Sequence, residues 1–311
     1  MANGGQGISP GGFLAVLWTL SSVATLLLVG RFLVRKVIMH RLNPDDIFML
    51  LAWILMIVSM IVATLMNPIS YQFTSILVGE APKPSEDELI DMTITLRRWA
   101  VSAQFLFWTT IYCVKLSFTF LYRPIFNSKP KYRRAWLVAV VYIIITYGIC
   151  LMGVFGQCGD ARNLFRYEEC MTPYVASFTS RAIWVVYFFN VTSDLVLVFL
   201  PLPSIWRPGN LITSQKLALT GICSLALITI AFETVRTVKL YQLNFSLTNL
   251  YGYLELLVAV IVGMIPGYRF LLTNNKDKNT EYRRLFWSRV TLRRREGDKT
   301  QTGYSLETIN R

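Results

Sequence analysis

Histidine is almost missing from this 311-residue chain: only His40 occurs. With no cysteine near it in sequence, it cannot gather the nitrogen and sulfur ligands of a zinc centre, and no metal site is expected. Glycine-rich phosphate loops, a nucleophile elbow and zinc motifs are absent as well, which removes the common signatures of nucleotide binding and serine hydrolysis. Charge is also scarce, at 16% against 54% apolar residues and a mean hydropathy of +0.45. A soluble fold of this length keeps a charged exterior wet, so the composition excludes a water-soluble globule.

What fills the chain instead is a series of apolar runs of about 20 residues, each long enough to cross a bilayer as a helix. They read from Gly11 to Val29, Ile47 to Met66, Trp99 to Tyr122, Ala135 to Phe155, Ala182 to Leu202, Leu217 to Val238 and Tyr251 to Leu272. A span in hydrocarbon must close its own backbone hydrogen bonds, and these runs are too long for barrel strands and lack period-2 alternation. The expected fold is an all-α membrane protein, a seven-transmembrane helix bundle. Trp99, Trp136, Trp184 and Trp206 fall near the ends of spans, where amphipathic rings favour the interface.

Orientation follows from the basic residues. Arg31, Arg35, Lys36 and Arg41 follow span 1, Arg123, Lys129, Lys131, Arg133 and Arg134 follow span 3, and Arg207 and Lys216 follow span 5. Eleven more lie from Arg269 onward, whereas the first eleven residues carry no charge. The positive-inside rule therefore places the N-terminus outside and the C-terminus in the cytosol. The expected organisation is a short extracellular segment over 1–11, a transmembrane domain over 12–272 and a basic cytosolic tail over 273–311. Span 1 is expected to act as an uncleaved signal anchor. The net charge of +13 is then a property of one membrane face, and nucleic acid is not an expected partner. The tail mixes Leu285, Phe286, Trp287, Val290 and Leu292 with six arginines over 283–295, which suits an anionic inner leaflet at about 1 kcal/mol per basic residue. A multi-pass protein of the plasma membrane or an endomembrane is implied.

Cys113, Cys150 and Cys223 fall within spans, where a small apolar side chain needs no further role. Cys158 and Cys170 bracket the loop after span 4, on the outer, oxidising side, and are expected to form a disulfide worth about 3 kcal/mol. Asn244-Phe245-Ser246 is a glycosylation sequon on an outer loop; Asn190-Val191-Thr192 also matches but lies inside span 5. In the cytosolic turn Asn43-Pro44-Asp45-Asp46, the asparagine can cap span 2, and both carboxylates face its positive N-terminal dipole. A second reading pairs Asp45 or Asp46 with Arg31 or Arg35, locking spans 1 and 2.

Ionisable residues inside spans are functional candidates by default. They are Lys115, Asp194, Glu233, Arg236 and Glu255. At about 1.5 Å per residue, Lys115 and Asp194 fall at or below the midplane toward the cytosol, and Arg236 and Glu255 in the outer third. Two ion pairs are expected, Lys115 with Asp194 and Arg236 with Glu255, because an unpaired charge is costly at membrane depth. Asn190, four residues before Asp194, shares its face of the helix. Glu233 and Arg236, three apart, offer an alternative pairing that would leave Glu255 free.

Taken in order, Gly30-Arg31 through Arg35 with Asp45-Asp46, Lys115-Leu116-Ser117 before Tyr122-Arg123, Gln157-Cys158 with Cys170, Asp194 leading into Leu200-Pro201-Leu202-Pro203, Lys216-Leu217-Ala218-Leu219, and Arg236 late in span 6 resemble the fungal rhodopsin-domain membrane proteins. That group includes appressorium receptor-like proteins and the membrane protein of the satratoxin cluster, and the resemblance covers residues 12 to 272. It implies a receptor-like sensor or an accessory membrane protein of a secondary-metabolite gene cluster. Retinal is not implied: a Schiff base needs a lysine facing the pocket, and span 7 has none. No cofactor is expected.

Two other functions stay open. One is a membrane-embedded enzyme, a cyclase or isomerase in which Asp194, Glu233 or Glu255 acts as a buried acid on a lipophilic substrate. The other is a transporter. Catalytic acids should converge on one cavity, so their expected scatter in depth favours a receptor coupling a small-molecule ligand to a cytosolic signalling partner.

Overall fold

Four of the helices open on proline, at Pro10, Pro44, Pro130 and Pro173. At a first helical position the missing N–H has no intrahelical partner to lose, so proline starts these helices at no cost. The computed structural model describes residues 9–36, 44–82, 84–126, 130–165, 170, 172–200, 213–241 and 245–268. Seven long helices run through them: α1 (Pro10–Val34), α2 (Pro44–Val78), α3 (Glu86–Phe126), α4 (Pro130–Phe155), α5 (Pro173–Phe199), α6 (Thr213–Tyr241) and α7 (Phe245–Met264). Short 3-10 turns occupy Ala161–Asn163 and Ile265–Tyr268, and no strand occurs among the described residues.

Six of the seven are long and apolar enough to cross a membrane; the side chains of α6 are described from Leu227 onward. Their outer faces carry what water would reject, including Leu26, Ile47, Val138 and Met152, each exposed by two-thirds or so of its surface (73%, 65%, 68% and 67%). A lipid solvent accounts for that exposure, and the chain is an integral multi-pass membrane protein.

Two boundaries differ from the sequence reading in ways that move the site. Helix α3 begins at Glu86, well before the apolar run, because Ser85 and Glu88 form a capping box: Glu88 N donates to Ser85 Oγ (3.4 Å) and Ser85 N to Glu88 Oε2 (3.3 Å). Helix α7 begins at Phe245 rather than Tyr251 and gives way to a 3-10 turn at Ile265, just before Pro266. Glu255 therefore sits at the middle of α7 rather than near its start.

Neighbouring helices pack in sequence, and α7 returns against α1, α2, α3 and α6 to close the bundle. Helix α3 is the other hub, touching α2, α4, α5 and α7. Met49, Met56 and Met60 of α2 interleave with Leu256, Leu257, Val260 and Met264 of α7 in the fully buried core. Close approach is possible there because Gly263 has no side chain: a Cβ would lie 2.9 Å from Met49 Cε and 3.1 Å from Val114 Cγ1. Between α4 and α5, Cys158 and Cys170 form a disulfide with a Cα separation of 4.8 Å. Gly159, with φ of +81°, takes the left-handed turn that brings the chain around beside it.

Candidate functional site: three polar levels along α7

Polar side chains are expensive inside an apolar bundle, so the places where they gather are few and informative. They form three levels, each touching α7.

The first level lies where α2 starts and α1 and α7 end. Arg31 and Arg35, one turn apart on the same face of α1, meet Asp45 and Asp46 of the first turn of α2. Arg31 contacts Asp45 Oδ2 at 2.8 Å through Nη2 and Asp46 Oδ1 at 3.0 Å through Nε. Arg35 contacts the same two carboxylates at 2.6 and 3.1 Å. All four side chains are buried. The guanidinium of Arg31 also donates through Nη1 to the carbonyls of Gly263 (2.9 Å) and Met264 (3.4 Å), two of the terminal carbonyls that α7 cannot bond internally. Ser117 of α3 donates to the Asp45 carbonyl at 2.9 Å, and Tyr268 donates to the carbonyl of Leu27. Acids at the positive end of α2 and an arginine at the negative end of α7 both run with the helix dipoles. The capping and pairing readings of the carboxylates are thus compatible; Asn43 lies outside the described residues.

The second level is the buried charge cluster. Lys115 Nζ of α3 lies 2.9 Å from Asp194 Oδ1 and donates to Asn190 Oδ1 (2.6 Å), the Asn190 carbonyl (3.1 Å) and Ser193 Oγ (2.7 Å), all on α5. Arg236 Nε of α6 lies 3.0 Å from Glu255 Oε2 of α7. The guanidinium stacks over Phe107 at 4.5 Å and Trp108 at 5.3 Å, which hold it on α3. Glu233 is 1% exposed, and neither of its carboxylate oxygens has a hydrogen-bond partner among the described residues. The structure therefore brings Lys115 to Asp194 and Arg236 to Glu255, and it does not bring Arg236 onto Glu233.

Along α3, Arg236 stacks on Phe107 and Trp108, eight and seven residues before Lys115, so the two ion pairs stand about 10 Å apart in depth. Glu233 and Glu255 nonetheless lie within electrostatic range of each other and of Lys115, Asp194 and Arg236. The earlier start of α7 carries Glu255 about 9 Å deeper at 1.5 Å per residue, toward the Lys115 level. Tyr112 and Cys150, within hydrogen-bond reach of each other (3.4 Å), complete the cluster's wall.

At the third level, at the opposite end of the bundle from the arginines, a pocket opens between α1, α2 and α7. Its lining joins Phe13, Met66 and Ala63 to Asn67, Ser70, Tyr71, Thr74, Asn249 and Tyr253. No carboxylate lines it. The Tyr253 hydroxyl is buried with no hydrogen-bond partner among the described residues.

Sequence reasoning did not find Ser193, Tyr253 or the α7 carbonyls, and it met Ser117 only as part of the Lys115-Leu116-Ser117 element. Only Ser193 carries a signal, since it stands three residues after Asn190 and so on the same side of α5. Asn244, Trp206, His40 and the basic tail lie outside the described residues, and Cys223 falls in the first half of α6, ahead of the side chains described there. Among the described residues no group of three metal-ligating side chains is gathered.

No curated protein and no solved structure matches this chain. The fungal rhodopsin domain matches residues 30–274, a stretch that opens one residue before Arg31 and takes in the arginine–carboxylate lock, the charge cluster and the Cys158–Cys170 bridge. The chain belongs to the fungal rhodopsin domain family.

Proposed function

We propose that this protein is a receptor-like sensor in which a small-molecule ligand, bound in the pocket of α1, α2 and α7, acts through α7 on the arginine–carboxylate lock and a cytosolic partner. The observation that carries the reading is that α7 alone joins the three polar levels: Asn249 and Tyr253 at the pocket, Glu255 in the cluster, and the Gly263 and Met264 carbonyls on Arg31. A shift of α7 at one end must be felt at the other, because its middle is tied to α6 by an ion pair and its end to α1 by hydrogen bonds. The cavity is about 30 Å³ as it stands, so it admits one small neutral group of a ligand, with a hydrogen-bond acceptor for the Tyr253 hydroxyl, and must widen to take the rest.

One observation favours the enzyme alternative. Asp194, Glu233 and Glu255 lie within electrostatic range of one another, as acids acting on one lipophilic substrate would. Against it, the pocket is lined by neutral groups and not by these acids.

Metabolite profiling of the gene-deleted source organism separates the two. For the sensor, the profile is unchanged, responses to external compounds are lost, and complementation with Tyr253→Phe needs roughly fivefold more compound, the worth of one hydrogen bond. An accumulated intermediate that isolated wild-type membranes convert, but Glu233→Gln membranes do not, overturns the sensor and establishes the enzyme.

A further inference from the structure

The formal charges of the buried cluster do not cancel. Lys115 and Arg236 bring two positive charges, while Asp194, Glu233 and Glu255 bring three negative ones. Lys115 is matched by Asp194 at 2.9 Å and Arg236 by Glu255 at 3.0 Å, so the excess falls on Glu233. Its carboxyl group is 1% exposed and has no hydrogen-bond partner among the described residues. A carboxylate left bare at membrane depth is heavily penalised, and the remedy is to take up a cation or a proton. A metal cation needs several oxygen ligands at once, and no such set is gathered among the described residues. A proton needs only the carboxyl group itself.

We propose that Glu233 and Glu255 form a proton-binding site that holds one proton between them, and that Arg236 pairs with whichever of the two lacks it. In the arrangement described here the proton is on Glu233 and Arg236 reaches across to α7. In the other, the proton moves to Glu255 and Arg236 folds back onto Glu233, three residues earlier on its own helix, where such neighbours meet. Both arrangements have the same total charge, and no charge is left bare in either.

The exchange asks for a change of side-chain conformation only, because Arg236 meets Glu255 across the helices at 3.0 Å and Glu233 one turn away on its own helix. The rings of Phe107 and Trp108 flank the guanidinium and keep it beside α3. The groups facing the pair are Lys115 and Tyr112 from α3, the Cys150 thiol from α4 and Asp194 from α5. Lys115 and Asp194 neutralise each other and so leave the single proton to the two glutamates. The first arrangement ties α6 to α7, and the second releases α7. The site stands on the cluster alone and does not depend on the ligand reading of the pocket.

Infrared spectroscopy of the full chain in lipid nanodiscs tests it. At neutral pH the wild-type protein should show the carbonyl band of a buried protonated carboxyl, shifted in deuterium oxide. Glu233→Gln should abolish the band, since the proton has no site left to neutralise, and should unfold at about the wild-type temperature because glutamine mimics the protonated acid. Glu255→Gln should abolish it too, because Arg236 then moves onto an ionised Glu233. Raising the pH should lower the wild-type unfolding temperature, because the proton held in the folded state is given up, and leave Glu233→Gln unmoved over the same range. Absence of the band from the wild-type protein overturns the proposal even if a variant fails to fold. So does a band that survives Glu255→Gln, or a wild-type protein without the band that is stabilised by sodium ions and loses that effect in Glu233→Gln.

Discussion

Arg31 serves three masters at once, and no other residue type could take its place. Its planar fork meets Asp45 through Nη2, Asp46 through Nε and the end of α7 through Nη1. A lysine presents a point charge with no fixed fork, so Arg31→Lys should fail to restore what Arg31→Ala removes. Either change leaves buried carboxylates without a full set of partners, at a cost of about 3–5 kcal/mol. Thermal unfolding of the full chain in detergent should show a large drop for both variants, and a lysine variant as stable as wild type would sink the shared-fork account. The pair of Lys115 and Asp194 makes a complementary prediction. Lys115→Met or Asp194→Asn alone should each destabilise strongly, whereas the double variant should cost less than the sum, with a coupling of about 1–3 kcal/mol. Simple additivity in that cycle would mean that Asn190 and Ser193, not Asp194, hold the ammonium.

Helices as elements were largely legible, and their limits were not. Every apolar run became a helix because the backbone has no other way to close its hydrogen bonds in lipid. Hydropathy reports where the hydrocarbon ends, however, and a helix stops only where its caps and prolines stop it. That is why Glu86–Arg98 joined α3 and Phe245–Leu250 joined α7, neither of them within an apolar run. The start of α7 matters most, since it sets Glu255 at the middle of its helix rather than near the outer end. Closeness between helices was legible only through glycine, and only in hindsight. At Gly263, whose missing Cβ admits Met49 and Val114, Gly263→Val should cost about 1–3 kcal/mol by overpacking α2 and α3. Met49 is unbranched and can yield, so Met49→Ala added to Gly263→Val should recover part of that loss in the same unfolding assay. If the double variant is no better than the single one, the tight partner is the branched Val114.

The molecule as a whole must lie across the membrane in one sense, and two features of the chain bear on it independently. The Cys158–Cys170 bridge requires an oxidising compartment, which places the connection between α4 and α5 on the exterior or luminal side. With helices crossing in alternation, we propose that the N-terminus lies on that side and that the lock, the connection from α3 to α4 and the tail face the cytosol. The basic residues argue for the same arrangement from different physics, because it gathers Arg31, Arg35, Arg133, Arg134 and the arginines beyond Arg269 on one face, as the positive-inside rule expects of a cytosolic one. A glycosylation acceptor or a protease site introduced at the C-terminus should therefore stay unmodified in sealed membranes, while one introduced before Pro10 is reached from the luminal face. The bridge adds a second readout: Cys158→Ser should cost about 3 kcal/mol by freeing the loop, and reductant should reproduce that loss in the wild-type protein without adding to it in the variant. A C-terminus reached from the luminal face, with the bridge still formed, would require an even number of crossings between that loop and the tail, and so would remove one of α5, α6 and α7 from the set of membrane-spanning helices.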